Sequence, residues 1–166
     1  GRRARAHVVG VLALAENMPS GRAQRPGDVW TACDGRTVET VDTDAEGRLV
    51  LADAIAWAAR TLKPRAVVDI ATLTGAVELV LGDGHAGLYA NDDRLGARLL
   101  RLARAEGEPL WRLPLGAACD DDLKSAVADL RHCCWDEDSP DNDVAARFLW
   151  HFVPEGLAWA HIDMAG

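Results

Sequence analysis

The chain has 166 residues, 49% of them apolar and 27% charged, a balance that suits a globular protein with one core and excludes a disordered tail. Eighteen Lys and Arg against 26 Asp and Glu leave a net charge of -8, which disfavours nucleic acid as a partner. No apolar run reaches membrane-span length, no secretory leader pattern follows residues 1–5, and Cys33, Cys119, Cys133 and Cys134 lack metal-finger spacing, so the sequence reads as cytoplasmic with reduced thiols.

Residues 7–17, HVVGVLALAEN, form a short Val- and Leu-rich run closed by polar residues, the pattern of a buried strand. MPSGRAQRPGD is then a loop, broken by Pro19, Gly21, Pro26 and Gly27. Two short extended runs flank Asp34-Gly35, a dipeptide suited to a tight hairpin turn. Over residues 49–62, Leu49, Ala52, Ile55, Ala56, Ala59 and Leu62 recur at helical spacing until Lys63-Pro64 stops them.

AVVDIATLTGA reads as a strand running into a Thr- and Gly-containing turn, with further extended apolar stretches up to GLYAN. Asp92-Asp93 opens a second helix in which Leu95, Leu99, Leu102 and Ala103 share a face, and Gly107 ends it. EPLWRLPL is extended and broken by proline, residues 120–128 are a short amphipathic piece, and CCWDEDSPDND is a polar loop. Residues 143 to about 153 make a helix, and LAWAHIDMAG is a closing strand. This alternation predicts an α/β fold, a three-layer sandwich with a mixed, mostly parallel sheet flanked by helices, in one domain.

TDAEGRL, residues 43–49, places Asp44, Glu46 and Arg48 at alternate positions where the first helix begins. Two readings of it stand. Thr43 and Glu46 have the spacing of a capping box, and acidic residues suit the positive end of a helix dipole. In α/β folds, however, ligands collect where strands end and helices begin, and both TDAEGRL and TLTGA occupy such places.

ENMPSGRAQRPGD, TDAEGRLVLADA, VVDIATLTGA, LWRLPL and WAHIDMAG occur in the order, and at about the spacing, of the leucyl aminopeptidase (cytosol aminopeptidase) family. The sequence resembles that family from residue 8 to residue 166, most specifically in TDAEGRL. The resemblance implies an enzyme that releases leucine-like N-terminal residues from peptides, uses two divalent ions, Zn²⁺ or Mn²⁺, and assembles as a homohexamer. It implies that Asp44 and Glu46 ligate the metals and that Arg48 is catalytic, holding a bicarbonate that shuttles protons. Planar, bidentate oxyanion binding is the reason for Arg in that role. Thr72, Leu73 and Gly75 match the family's substrate-cleft segment.

The family also carries a Lys and an Asp in a K…FDSGG segment upstream of NMPSG, followed by a further Asp and Lys. Here the two lysines, Lys63 and Lys124, lie in no such context, and no Gly-Gly pair occurs. Residues 1–166 therefore read as a partial metallo-aminopeptidase catalytic domain with an incomplete metal site. The alternative is a catalytically inactive member serving as a structural or binding subunit. Asp42 stands where the family usually has Asn, and CCWDEDSPDND where it usually has a GGR loop.

His132, Cys133, Cys134 and Asp136 can be drawn as a soft metal site, but adjacent residues rarely converge on one tetrahedral ion, and a polar surface loop is the better reading. His161 and Asp163 alternate along a strand and so face one side, as a structural pair rather than a ligand pair. Trp111, Trp135, Trp150 and Trp159 serve a core or an interface.

Overall fold

Asp34-Gly35 turns the chain as its sequence predicts. In the computed structural model, which describes residues 6–16, 18–134 and 141–165, Gly35 has a φ of 98°, a left-handed conformation that costs glycine no Cβ clash. β1 (Val29–Thr31) and β2 (Thr37–Glu39) pair antiparallel across the turn, and β6 (Leu130–Arg131) joins β2 in parallel to complete a three-stranded sheet.

The second sheet consists of β3 (Ala66–Ala71), β7 (Ala158–Asp163), β4 (Ala86–Ala90) and β5 (Leu110–Arg112), in the order β3-β7-β4-β5. β3 runs parallel to β7 and β4 parallel to β5, while β4 and β7 are antiparallel. The fold is thus α/β with mixed sheets, divided between two sheets where the sequence suggested one.

Strand side chains alternate between faces, and β7 uses both. On one side Trp159 joins Leu49, Ala52 and Ile55 of α1 (Gly47–Leu62) and Phe148 and Leu149 of α4 (Asn142–His151) in the main core. On the other, Ala160 and Ile162 pack with Leu88 and Ala90 beneath Leu95, Leu99 and Leu100 of α3 (Asp93–Glu106). The helix boundaries follow local chemistry. The Asp92 side chain caps α3 by accepting the Leu95 amide at 2.7 Å, Gly107 ends that helix at a φ of 78°, and Lys63 takes a left-handed φ of 46° ahead of Pro64 to end α1. No helix among the described residues is long and apolar enough to cross a membrane.

Four expectations are corrected. Residues 7–16 form no strand and are exposed throughout, with Leu12 at 83% and Leu14 at 81%. Apolar composition suits a strand, but only a hydrogen-bonded neighbour makes one. After TLTG the chain is helical, not extended: α2 (Gly75–Leu81) buries Val77 and exposes Leu79 and Val80, and an apolar run this short does not distinguish helix from strand by pattern. Residues 120–128 make turns after a 3₁₀ turn at Ala117–Cys119, because the Ser125 hydroxyl accepts the Val127 and Ala128 amides and competes with helix. The segment after Arg131 is not simply a polar surface loop, since His132 and Cys133 are buried; residues 135–140, with Trp135 and Asp136, lie outside the described residues. Trp159 is core, Trp150 packs against the core, and Trp111 is exposed.

Truncating Phe148, fully buried between α1 and α4, to Ala is expected to cost about 3–5 kcal/mol in urea denaturation. Leu12→Ser on the exposed run is expected to stay within about 0.5 kcal/mol of wild type. A loss above about 1 kcal/mol at Leu12 would place that run in the core and overturn its description here.

Candidate active site

Asp42 settles how TDAEGRL begins. Its carboxylate accepts the Asp44 amide at 2.9 Å and opens a single 3₁₀ turn, Thr43–Ala45, that leads into α1. The capping-box expectation therefore fails: Thr43 is not the N-cap, and Glu46, at the N-cap position of α1, makes no side-chain cap bond. Asn at position 42 would cap in the same way as Asp. Asp44 is exposed and Glu46 half-buried.

Arg48 points inward and is 3% exposed. Its Nη1 donates to the His132 carbonyl at 3.0 Å, its Nη2 bonds and ion-pairs with Asp141, and its Nε is buried with no hydrogen-bond partner among the described residues. His132 also braces the approach to the segment. Its Nε2 lies 2.7 Å from the Asp42 carbonyl, and its Nδ1 lies 3.2 Å from the Val41 amide and 3.1 Å from the Glu39 carbonyl, so both ring nitrogens are engaged by backbone. Burial, reinforced by the Arg48 charge, lowers the His132 pKa and keeps the imidazole neutral.

The second predicted segment adjoins the first. A Cβ on Gly47 would stand 3.5 Å from Leu73 Cδ1, so the end of TDAEG and TLTG meet there. Thr72 and Gly75 are exposed, Leu73 packs against the main core, and Thr74 is buried. Asp163, at the end of β7, accepts the Leu73 amide at 2.9 Å, the Thr74 amide at 3.1 Å and the Thr74 hydroxyl at 2.7 Å. His161 lies two residues earlier on the same face, with Nε2 4.0 Å from Asp163 and Nδ1 bonded to Asp69 at 2.5 Å. The Trp159 indole N–H donates to the other Asp69 oxygen at 2.6 Å. Parallel register explains the meeting, since Asp69 sits opposite His161 and Ala71 opposite Asp163. From β4, Tyr89 stacks on His161 with centroids 6.1 Å apart, and its hydroxyl donates to Asp143 and accepts from Asn142.

Burial alone disfavours a charged His161, but the carboxylates of Asp163 and Asp69 outweigh it and raise the pKa to about 9. Burial likewise opposes the charge on Asp163, yet His161, the Thr74 hydroxyl and the Leu73 amide hold its carboxyl below the usual range. Around His161 the remaining titratable groups are Tyr89, whose pKa burial drives upward, and Asp143 beyond it. A raised histidine pKa means that the native state holds the proton more tightly than the unfolded chain does. Its stabilisation is complete below about pH 6.5 and is lost as pH rises through about 9, a change on the order of 3 kcal/mol. Urea midpoints between pH 6 and 10 are expected to fall more steeply for wild type than for His161→Gln; identical slopes would refute the charged assignment.

Asp44 and Glu46 offer carboxylate oxygens, donors that suit a divalent cation. Among the described residues no group of three or more His, Cys, Asp or Glu is placed to hold a metal ion. The two therefore fit as part of a ligand shell, short of the roughly three protein ligands that a zinc ion takes. The soft alternative fails on chemistry: both His132 nitrogens serve the backbone, and burial raises the Cys133 thiol to about 11. Lys63 ends the far side of α1 and Lys124 pairs with Asp121 on the surface, so neither stands beside TDAEGRL. Two surface depressions, one beside Asp34 and Asp129 and the other beside Asn91 and Trp150, lie elsewhere. Asp69 and Asp141 escape a sequence reading, and His132 enters it only as a soft-metal candidate; an Asp inside the apolar AVVDIA was the legible signal for Asp69.

A family model described as the cytosol aminopeptidase family, catalytic domain, matches residues 2–166. Probable cytosol aminopeptidases of Dinoroseobacter shibae and Brucella anthropi are each 48% identical, over 99% and 100% of this chain and 33% of their own length. The chain thus spans about a third of these relatives. Among solved structures, a mutant of tomato leucine aminopeptidase superposes with a TM-score of 0.85 at 40% identity, over 91% of this chain and 29% of that one. The bottromycin maturation enzyme BotP does so with a TM-score of 0.85 at 46% identity, over 92% of this chain and 33% of that one. On a match of this extent, the chain belongs to the cytosol aminopeptidase family.

Proposed function

We propose that this chain contributes part of the active site of a metal-dependent aminopeptidase, with Asp44 and Glu46 as metal donors, Arg48 as the catalytic guanidinium, and Thr72, Leu73 and Gly75 orienting the peptide. The observation that carries this reading is that the segment holding Asp44, Glu46 and Arg48 at the start of α1 adjoins the segment at 72–75, with Leu73 against Gly47. Bound divalent ions, Zn²⁺ or Mn²⁺, supply Lewis-acid polarisation of the scissile carbonyl and a nucleophile at neutral pH.

The chain's own groups do the rest. The two carboxylates carry the negative charge that retains cations. The backbone of residues 72–75 aligns the peptide, and its glycine permits close approach. The buried Arg48 guanidinium places positive charge where negative charge develops, in surroundings that strengthen its effect. A carboxylate, Asp141, already lies on that guanidinium, so a bicarbonate held at Arg48 has to share it or displace it.

The remaining donors come, in this proposal, from the length of the relatives that the chain does not span. Exposed apolar side chains on β3 (Val68, Ile70) and α2 (Leu79, Val80) support a covering segment there. The same reading makes the protein cytoplasmic and a homohexamer acting on peptides with leucine-like N-termini.

Calorimetric titration of the 166-residue chain with Mn²⁺ and Zn²⁺ is expected to give weak binding and no leucine-arylamide hydrolysis. In a protein of the relatives' full length, Asp44→Ala and Glu46→Ala are each expected to lower kcat/KM by more than about 100-fold. Full activity in both variants would overturn the donor assignment, and a full-length protein inert with either metal would favour the structural-subunit alternative. Arg48→Ala is expected to slow kcat by about 100-fold or more with KM little changed. A change in KM alone would remove Arg48 from the chemistry.

A further inference from the structure

The charged cluster behind TLTG is a buried feature that the proposed chemistry leaves unused. Asp69, His161 and Asp163 lie at 8%, 1% and 1% exposure on one face of the β3–β7 pair, and Trp159 closes the cluster by bonding Asp69. Carboxylates this deep are costly unless they are paired and hydrogen-bonded, so the cluster is not filler. Its outer member, Asp163, spends both oxygens on one target, the Leu73 and Thr74 amides and the Thr74 hydroxyl.

Two successive backbone N–H groups turned toward one carboxylate fix the peptide planes between them. They also fix which way the neighbouring backbone faces. With Leu73 and Thr74 tied inward, the exposed Thr72 and Gly75 on either side are presented to solvent in one conformation. The Thr74 side chain, at the N-cap position of α2, makes no cap bond to its own helix and instead bonds Asp163.

We propose that Asp163 is a positioning residue that sets the Leu73-Thr74 segment in its peptide-receiving conformation, with His161 as its countercharge and Asp69 orienting the imidazole through Nδ1. The proposal rests on the reading that residues 72–75 bind the peptide. His161 Nε2 forms no hydrogen bond among the described residues and faces Asp163 across 4.0 Å, so it acts on the carboxylate through charge. Asp69 holds the ring from the opposite side, bonded to His161 and to Trp159 by separate oxygens.

The test measures the segment directly and the reaction separately. Hydrogen exchange at the Leu73 and Thr74 amides is followed in wild type, Thr74→Val, Thr74→Ser and His161→Gln. The isosteric Thr74→Val removes the hydroxyl bond without emptying the site, and is expected to speed exchange at both amides about tenfold, the effect of losing one hydrogen bond to a charged group. Thr74→Ser is expected to restore wild-type exchange, and His161→Gln to behave like Thr74→Val. In a full-length active enzyme, Thr74→Val is expected to raise KM for a leucyl peptide about tenfold with kcat within about twofold, and Thr74→Ser to restore KM.

Unchanged exchange in Thr74→Val and His161→Gln would overturn the positioning role. Faster exchange with KM unchanged would overturn the link to peptide binding, leaving the donor roles of Asp44 and Glu46 to their own variants. Faster exchange with raised KM, both rescued by Ser, supports the proposal.

Discussion

His161, held between Asp69 and Asp163, is the joint on which the catalytic-side architecture turns. Charge at that depth is tolerated only when it is paired, and the pairing demands that β3 and β7 lie in one register, with Asp69 opposite His161. A one-residue slip would send these side chains to the opposite face, against the apolar layer under α3. The same register carries Asp163 to the end of β7, where it meets the segment that leaves β3. Strand pairing, burial of charge and the conformation of TLTG are therefore one constraint seen at three scales.

A second buried charge organises the neighbouring corner. Arg48 enters the interior from the first turn of α1 and is met by the His132 carbonyl and the Asp141 carboxylate. His132 in turn binds Asp42 and Val41, the residues leading into TDAEGRL. Residues 41–48 thus meet His132 and Asp141, roughly ninety positions later, beside the turn that carries Asp44 and Glu46. The segment that departs from the family's usual loop follows directly on His132 and supplies Asp141. Its chemistry therefore reaches Arg48 directly.

Local patterning accounts for much of the fold. The helical spacing of Leu49, Ala52, Ile55 and Ala56, the Asp92 cap with Gly107 at the other end, and the Asp34-Gly35 turn are all short-range signals, and each appears where its chemistry puts it. Reading failed where a decision lay outside the segment. HVVGVLALAE has strand composition and no strand neighbour among the described residues, and AVELVL is apolar enough for either structure. Thr43 and Glu46 have capping spacing, but Asp42, one residue earlier, reaches the amide first.

The sequence by itself determined the family and the segments that carry it, since TDAEGRL and TLTGA are contiguous in the chain and their residue types follow from chemistry. It also placed His161 and Asp163 on one face, because side chains alternate along a strand. Tertiary structure alone decided that Asp69 meets His161, that Asp163 holds Leu73 and Thr74, and that Asp141 covers Arg48. Those partners lie roughly ninety residues apart. No local pattern encodes a contact at that separation, because strand register and helix packing set it, and burial then makes the charge pairing obligatory.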